Sequence, residues 1–558
     1  MNERLRVTLL LAVAMLVYGN TLLNNFSMDD ELYVLRNSAV TSPSVKGLFE
    51  ATKANNVFRP VTFATFALNW AIGSAHPFGY HLFNLLLNAT VALLIYLVLR
   101  TLLEAVPRGT TVALAAALLF AVHPIHTEAV ASVAARSEVL AAGFLMAAWL
   151  LHLYDQHILS LACFVLALLS KESAVAFVPL ALVGDYARAK LKPLHRYVWI
   201  AGVAGLYLAV LWKIQGGRFG EKGINFLDNP LAELPASLRI LNALRIAWKY
   251  AGLDVYPASL SCDYSYNAIL LYSGWRHTAP AAVAAALVLV LWIWALWTER
   301  RAWVLAGAIY LGGFAATANL LVPTGTIMAE RLAYLPSAGF CLLVALIWMW
   351  LENHGRRLAW TVFAIVMAAL AMRTVVRNQD WRDNFTLFSA AVREAPGSAK
   401  MHANLGAEYM YRDQLEAARK EFQTALRIYP DFPDAMEFYG LVESRTGHDQ
   451  EARGLLETAL SMTRKDNINY DFMAVNLAAQ LMKLGQNDDA LRLLNEDIAT
   501  SPGYARAWSN RAVIRYARGD VASALNDAQV ALRLDPTNTQ AQNLLLLLKA
   551  SPPSAPPR

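Results

Sequence analysis

The sequence predicts an all-α protein in two parts, a polytopic membrane domain followed by a solenoid of helix pairs. Hydrophobic residues make up 57% of the 558 residues and charged residues 16%, whereas roughly a quarter of the residues in soluble proteins are charged. Apolar runs recur from Val7 to about Val376, and a different periodicity begins after Asn378. We therefore predict a membrane domain at 1–378, a second helical domain at 379–550 and a disordered tail at 551–558.

A membrane-spanning helix needs about 20 predominantly apolar residues. We expect about eleven spans, of which the fourth to the sixth are short. They lie at about 7–24, 80–99, 111–123, 139–153, 158–170, 174–187, 198–214, 279–297, 303–322, 334–351 and 359–376.

The basic residues of the membrane half predict its orientation, because Arg and Lys in short loops are retained in the cytoplasm. With eleven spans they all fall on one side: Arg4, Arg6, Arg100, Arg108, Arg188, Lys190, Lys192, Arg196, Arg300, Arg301, Arg356 and Arg357. This predicts a cytoplasmic N-terminus and an extracytoplasmic, or periplasmic, C-terminal domain. The compact loops favour a bacterial inner membrane. The pI near 9.0 reflects these loops, so we expect no nucleic-acid partner.

Internal repeats begin near residues 399, 433, 471 and 505, at steps of 34, 38 and 34 residues. Small residues recur in phase in each unit, and a proline follows three of the four units, as is typical of the tetratricopeptide helix pair. We predict about four such repeats, preceded by a helix at 381–395 and capped by one at 539–550. The groove of such a solenoid is expected to bind a peptide; the alternative is that it only packs on the membrane domain.

Three acids, Asp29, Asp30 and Glu31, directly follow the first apolar run. Ionised carboxylates near hydrocarbon are costly, so they tend to be functional; the alternative is a solvated loop. A carboxylate here can act as a general base on a hydroxyl or as a metal ligand. Because Asp29 and Asp30 are adjacent, an extended loop would point them in opposite directions. One could then face a reacting centre while the other fixes the backbone.

The segment HPIHTE contains His123, His126 and Glu128. Two histidines and an acid could bind zinc, but the spacing is not that of an HExxH site and no further strong ligand is evident. We therefore assign no metal ligand and no cofactor, with a divalent metal as the less favoured alternative. Hydrogen bonding to a polar substrate is favoured for these residues.

Arg136, Lys171 and Arg331 lie at the predicted outer edges of spans, where a lipid phosphate would lie. Arginine suits bidentate contact with phosphate. The alternatives are snorkelling or pairing with the acids that are nearby in sequence, Glu138, Glu172 and Glu330. The chain has no Walker loop, GxSxG or dinucleotide fingerprint, which argues against ATP-driven or hydrolytic chemistry.

Several motifs follow one another in a specific order: NNFSMDDELYVLRN, FRPVTFATFALNW, HPFGYHLFNLLLN, FAVHPIHTEAVASVAARSE, LLSKESA, AERLAYLPS and VVRNQDWRDNFTLF, then the repeats. This succession resembles the transmembrane-and-tetratricopeptide-repeat O-mannosyltransferases, which belong to the GT-C glycosyltransferases. The resemblance covers nearly the whole chain. The family pattern usually reads RYLYLP where this chain reads RLAYLP, which leaves the roles of Leu332 and Ala333 open.

The resemblance implies a GT-C-like membrane domain and an inverting glycosyltransferase at the extracytoplasmic face. It implies a sugar donor carried on a polyprenyl phosphate in the membrane lipid, and a Ser or Thr hydroxyl of a protein acceptor. It also implies that Asp29 or Asp30 is the catalytic base, with Asp29 favoured. The substrate-binding residues implied are Glu31, His123, His126, Glu128, Arg136, Lys171, Glu172, Glu330 and Arg331, of which the two arginines and the lysine would hold the donor phosphate.

Two other functions fit the same sequence. A non-catalytic membrane scaffold that presents the repeats for envelope assembly would not need Asp29 and Asp30. A lipid-linked glycan ligase or polymerase would keep its activity without the repeats and would need a glycan acceptor.

Overall fold

The structure is a computed structural model that describes residues 1–54, 58–217, 224–320, 322–465, 467 and 469–550. Over these ranges the chain is helical and contains no strand, which confirms the all-α prediction. It divides into two compact units, Met1–Ser398 and Ala399–Arg558. The predicted disordered tail at 551–558 lies outside the described residues.

The first unit consists of helices joined by short turns. Its helices are α1 (Glu3–Tyr18), α2 (Ser38–Thr41), α3 (Val45–Ala54), α4 (Pro60–Gly73), α5 (Pro77–Leu102), α6 (Gly109–Val122), α7 (Thr127–Ala131), α8 (Arg136–Leu153), α9 (His157–Ser170), α10 (Phe177–Ala187), α11 (Leu194–Ile214), α12 (Ala236–Val255), α13 (Trp275–Trp297), α14 (Arg301–Phe314), α15 (Ser337–His354), α16 (Arg356–Asp380) and α17 (Asn384–Glu394). Single 3₁₀ or π turns lie at Gly19–Leu23, Glu31–Leu35, Pro124–His126, Glu172–Ala176, Pro230–Glu233 and Glu330–Ala333. Proline begins α4 and α5, because its fixed φ and missing N–H suit a first helical turn.

Within the described ranges, six helices are long and apolar enough to cross a bilayer. They are Glu3–Leu23, Pro77–Leu102, Arg136–Leu153, Leu194–Ile214, Trp275–Trp297 and Arg356–Asp380. A bent pair, Gly109–Val122 with Pro124–Ala131, makes seven if it forms one span; it bends by 53°, since proline cannot continue the helix. The protein is therefore a multi-pass membrane protein.

The other expected spans coincide with helices that do not reach the same length and hydropathy. These are α9, α10, α14 and α15, with 14, 11, 14 and 18 residues. By this measure the described residues support six or seven spans, where eleven were predicted. The short helices end at polar turns, such as the one at Lys171 and Glu172, which hydropathy alone does not resolve.

Most of the basic loop residues meet at one end of the helix bundle, where ion pairs connect them. Arg100 pairs with Glu3, and Arg188 lies 3.3 Å from Glu104. The other pairs are Lys192 and Arg196 with Asp155, at 2.7 and 2.6 Å, and Arg108 with Glu352, at 2.8 Å. The acids of the sequence motifs lie at the other end of the bundle, where Asp29 follows α1 and Glu172 follows α9.

The core of the first unit surrounds α6. Every residue from Val112 to Val122 is buried, and α1, α5 and α15 pack around this helix. A helix that is apolar on all sides is stable only when it is covered on all sides. The rigid packing of α6 positions the HPIHTE segment that follows it.

The second unit is a series of antiparallel helix pairs. Its helices are α18 (Ala399–Tyr411), α19 (Leu415–Ile428), α20 (Pro433–Arg445), α21 (Asp449–Met462), α22 (Tyr470–Lys483), α23 (Asn487–Thr500), α24 (Ala505–Ala517), α25 (Val521–Leu534) and α26 (Thr539–Ala550). A Cβ atom at Gly406 would lie only 3.0 Å from the Phe422 ring, so glycine permits the close approach of α18 and α19. Helix α26 caps the last pair and buries Ala541 and Leu544.

The boundary between the units differs from the predicted one at Asn378. Helix α17, expected to lead the repeats, belongs to the first unit. Its N-terminal segment is held by the loop that contains the three acids. The Asn25 N–H donates to the Arg382 carbonyl at 2.8 Å, and the Met28 N–H donates to Asn384 Oδ1 at 2.8 Å.

Candidate functional site

Asp30 is completely buried and fixes the acidic loop. Its Oδ2 accepts the Ser27 N–H at 3.0 Å, and its Oδ1 accepts the Ala134 N–H at 2.7 Å and the Ser132 hydroxyl at 3.3 Å. Burial raises the pKa of Asp30 to about 6, although the backbone hydrogen bonds from Ala134 and Ser27 act in the opposite direction. Asp30 therefore joins the loop to the segment that follows α7.

Asp29 is exposed and lines a pocket. The preceding residue, Met28, has a φ of 49°, a backbone conformation that is uncommon for a residue other than glycine. Such conformations cluster at functional sites, where surrounding structure holds them. Here the hydrogen bond from the Met28 N–H to Asn384 holds the loop. The neighbouring Glu31 does not line the pocket and pairs with Arg36 at 2.6 Å.

The pocket combines one carboxylate, two guanidinium groups and an aromatic wall. Its lining residues are Asp29, Tyr33, Arg59, Thr62, Phe63, Phe66, Ser132, Ala134, Ala135, Ser137 and Arg331. The rings of Tyr33 and Phe63 are stacked, with centroids 6.0 Å apart. Small-molecule sites typically combine an apolar or aromatic lining with a few oriented polar groups.

Arg59 is a pocket residue that the sequence analysis did not assign. Its Nη2 and Nε donate to Glu172 Oε1 and Oε2 at 2.8 and 3.3 Å. Burial opposes the charge of Arg59, but Glu172 raises its pKa. Burial raises the pKa of Glu172, but the positive charges of Arg59 and Lys171 outweigh this effect and lower the pKa to about 2. The signal in the sequence was the FRP motif, in which a cation directly precedes a proline-initiated helix.

Arg331 reaches the pocket from the 3₁₀ turn Glu330–Ala333. Its guanidinium pairs with Glu128, and its backbone N–H donates to Glu128 Oε2 at 2.9 Å. Burial opposes the charge of Arg331, but Glu128 and Asp29 raise its pKa. Glu128 therefore orients Arg331, and Asp29 lies within electrostatic reach of this cation.

Lys171 and Glu138 pair with each other and are both buried. Burial lowers the pKa of Lys171, while Glu138 acts in the opposite direction. The three acids named as alternative partners of the cations do form ion pairs, but not with their sequence neighbours. Glu138, Glu172 and Glu330 each pair with a cation from another segment, namely Lys171, Arg59 and Arg377.

Arg136 is fully buried in the helix packing and is absent from the pocket lining. Its guanidinium donates to Asn84 Oδ1 and Asn69 Oδ1, both at 2.7 Å, and to the Tyr80 carbonyl at 3.1 Å. It also lies 4.5 Å from the centroid of the Phe83 ring. Arg136 therefore links α4, α5 and α8 and does not line the pocket of Asp29.

The two histidines are also buried outside the pocket. His123 Nε2 lies 2.9 Å from the Asp254 carbonyl, and His126 Nε2 lies 2.6 Å from Ser337 Oγ. Their rings therefore link neighbouring segments, and neither histidine lines the pocket. In the part of the chain that the structure describes, no three His, Cys, Asp or Glu side chains are grouped as metal ligands would be.

Glu330 is buried next to the loop that precedes α13. Its Oε1 accepts the Ser261 N–H at 2.6 Å and the Tyr264 hydroxyl at 2.8 Å, and Oε2 lies 3.7 Å from Arg377. Burial raises the pKa of Glu330 to about 7, against the effect of Arg377. Its carboxylate positions this loop and is not part of the pocket lining.

The arrangement can accept a proton and stabilise an anion within one pocket. An exposed carboxylate can take a proton from a hydroxyl. Fixed guanidinium groups can stabilise charge that develops on a leaving group. Of the predicted site residues, Asp29 and Arg331 line the pocket, and Asp30, Glu128 and Glu172 hold its walls.

Similarity to known proteins covers both units of the chain. Residues 403–467 and 476–539 match the family model described as tetratricopeptide repeat. These residues are tetratricopeptide repeats. Among solved structures, part of the chain matches YrrB, titled a TPR protein with an unusual peptide-binding site. The match has 17% identity and a TM-score of 0.25, and it covers 36% of this chain and 97% of that one.

Similarity to curated proteins extends over the first unit as well. The chain is 27% identical to protein O-mannosyl-transferase TMTC3 of Mus musculus over 594 residues, covering 95% of this chain and 64% of the relative. It is 29% identical to protein O-mannosyl-transferase F38B6.6 of Caenorhabditis elegans over 440 residues, covering 76% and 63%. The chain thus spans just under two thirds of the length of these relatives. The names of the relatives agree with the resemblance that the motifs indicated.

Proposed function

We propose that this protein is an inverting membrane glycosyltransferase of GT-C type. It moves a sugar from a polyprenyl-phosphate donor to a Ser or Thr hydroxyl of a protein, and its repeats hold the acceptor or a partner. The observation that carries the proposal is that Asp29, Arg59 and Arg331 line one pocket. The names of the curated relatives support transfer of a sugar to protein, with mannose as the first sugar to test.

Asp29 is the proposed general base. It is exposed in the pocket, and no Lys, Arg or His among the described residues forms an ion pair with it. Its carboxylate can therefore approach an acceptor hydroxyl. Asp30 cannot take this role without leaving its three hydrogen bonds.

Arg59 and Arg331 are the proposed ligands of the donor phosphate. A guanidinium has five N–H donors, and each arginine uses only part of this set for Glu172 or Glu128. The remaining donors can contact phosphate oxygens. The carboxylates fix the orientation of both guanidinium groups before the donor binds.

The proposed step balances without a cofactor. The acceptor oxygen attacks the anomeric carbon as its proton passes to Asp29. The bond from that carbon to the phosphate oxygen breaks, and the phosphate keeps the electron pair. The two arginines stabilise the resulting charge. Attack from the face opposite the phosphate inverts the anomeric configuration.

The proposal includes the full eleven-span topology with a cytoplasmic N-terminus in a bacterial inner membrane. Helices α9, α10, α14 and α15 would complete the count. The grouping of the basic loop residues at one end of the bundle supports this orientation, because such residues favour the cytoplasmic side. The pocket then opens on the extracytoplasmic side.

The test uses the full-length protein in vesicles with a panel of polyprenyl-phosphate sugars and Ser- and Thr-containing protein acceptors. Asp29→Asn should lower the transfer rate at least about a hundredfold, the lower range of general-base effects. Glu31→Gln is the matched control, because Glu31 lies two residues from Asp29 and outside the pocket lining. Equal rates for wild type and Asp29→Asn, or no transfer with any donor, would refute the assignment and favour the scaffold.

A further inference from the structure

A second cavity of about 720 Å³ lies in the first unit, at the C-terminal ends of α1 and α16. Its lining residues are Asn20, Leu23, Asn24, Val376, Gln379, Asp380, Arg382, Phe385, Thr386, Ser389 and Arg393. It shares no lining residue with the pocket of Asp29. Most of it comes from the motif VVRNQDWRDNFTLF, to which the proposed transfer reaction assigns no role.

The cavity lies where the lipid-facing surface of two spans ends. Leu16 and Met372, on the spans, are 77% and 71% exposed, and Leu23 and Val376, in the cavity wall, are 83% and 50% exposed. Large apolar side chains with such exposure on spanning helices face lipid in a membrane protein. The cavity therefore begins at the depth where hydrocarbon gives way to headgroups.

Two exposed arginines face this cavity. Arg382 precedes α17, and Arg393 lies in its last turn. The spacing of Phe385, Ser389 and Arg393 places all three on one side of α17. In the described ranges, neither arginine forms an ion pair with a carboxylate, and the one acid in the lining, Asp380, pairs with Arg377 at 3.0 Å. The cavity therefore has two uncompensated positive charges.

We infer that this cavity binds the phosphate of an anionic lipid headgroup through Arg382 and Arg393. Arginine binds phosphate oxygens through paired N–H groups, and Gln379 and Ser389 add neutral polar groups to the wall. The exposed Leu23 and Val376 favour a lipid over a free phosphate, because the acyl chains of the lipid can cover these side chains.

The site is connected to the acidic loop through the backbone. The carbonyl of Arg382 accepts the Asn25 N–H, and Asn384, two residues further on, accepts the Met28 N–H. A lipid bound to Arg382 therefore stabilises the segment on which Asp29 rests. This second part of the inference rests on the proposed function, whereas binding of the lipid does not.

The binding test uses the full-length protein purified in detergent and mixed with phosphatidylglycerol and phosphatidylcholine, with bound lipid measured by native mass spectrometry. Wild type should retain phosphatidylglycerol preferentially. The preference of the double variant Arg382→Gln with Arg393→Gln for phosphatidylglycerol should fall about thirtyfold, because two cations near an anionic lipid each contribute about 1 kcal/mol and about 1.4 kcal/mol is a factor of ten. Replacement of both arginines by Lys should retain most of it. The matched control is Arg427→Gln with Arg533→Gln, two exposed arginines of the second unit.

Each outcome has a defined meaning. Equal retention of phosphatidylglycerol by wild type and the double Gln variant overturns the site. Displacement of the lipid by equimolar inorganic phosphate shows that a free phosphate is the occupant and overturns the lipid assignment. Sugar transfer that is equal in vesicles with and without phosphatidylglycerol overturns the connection to Asp29. Absence of transfer in every vesicle refutes the proposed function, while the lipid-binding result stands by itself.

Discussion

Arg59 and Glu172 form a two-point ion pair across 113 residues of sequence, with Nη2 to Oε1 at 2.8 Å and Nε to Oε2 at 3.3 Å. The pair joins the start of α4 to the turn after α9 and presents the guanidinium to the pocket of Asp29. Glu172 is thus a positioning residue for a cation that lies far from it in the sequence.

Two substitutions of Arg59 should distinguish the contribution of its charge from that of its two-point contact. Arg59→Gln removes a donor aimed at the departing phosphate, so we expect a loss of about 10²–10³ in the rate of transfer. Arg59→Lys keeps the charge but not the two-point contact and should give an intermediate rate. The measurement is initial rate against donor concentration in vesicles. A rate for Arg59→Gln equal to that of wild type would remove Arg59 from the donor site.

Asp30 should make stability depend on pH. Its pKa is about 6 in the folded state against 3.8 for an aspartate in the unfolded chain, so between these pH values the folded protein holds a proton that the unfolded chain has lost. The stabilisation from this group is present below about pH 4 and is lost as the pH rises through 6. Asp30→Asn should therefore destabilise the protein more at pH 5 than at pH 8.

The readout for Asp30 is the midpoint of thermal unfolding of wild type and Asp30→Asn in the same detergent across this pH range. The difference between the two midpoints should shrink as the pH rises. A difference that is constant with pH, or that grows towards pH 8, contradicts the raised pKa.

Arg136 should be required for folding, with no separate role in sugar transfer. Arg136→Gln leaves buried acceptors on Asn84, Asn69 and Tyr80 without donors, each at a cost of about 1–3 kcal/mol. Arg136→Lys should also fail, because one ammonium group cannot reach all three acceptors. Thermal unfolding and the yield of monodisperse protein measure this effect. Arg59→Gln is the contrasting variant, expected to fold and to lose transfer, because the carboxylate that it leaves without its cation, Glu172, is 41% exposed. Normal stability with lost transfer in Arg136→Gln would instead return Arg136 to the donor site.

Gly406 should be required for the packing of the first repeat. Valine at this position would overlap the buried Phe422 ring, so Gly406→Val should cost about 1–3 kcal/mol. Gly454→Val is the matched control, since nothing lies within 4 Å of a Cβ at Gly454, and it should stay within about 0.5 kcal/mol. Limited proteolysis and thermal unfolding of the full chain compare the two. Equal effects would show that helix propensity alone is being measured.

Properties that depend on local sequence pattern could be predicted before the structure was known. Apolar runs predicted eleven apolar helices of the membrane half but not α3 or α12, and the recurrence of small residues near 34-residue steps predicted the repeats. The acids after the first span were also visible from sequence order. Of the eleven spans predicted, length and hydropathy support six or seven among the described residues, because the turn at Lys171 and the bend at Pro124 depend on what the neighbouring helices cover.

The contacts between distant side chains, in contrast, depend on how the helices pack. Asp29 and Asp30 are neighbours with similar sequence context, yet the backbone of Ala134 holds one while the pocket exposes the other. Arg136 and Arg331 both lie at the edges of spans, but only Arg331 reaches the pocket. The partners of these ionised groups lie tens to hundreds of residues away, and pairing across such distances is set by helix packing. No local periodicity specifies that packing.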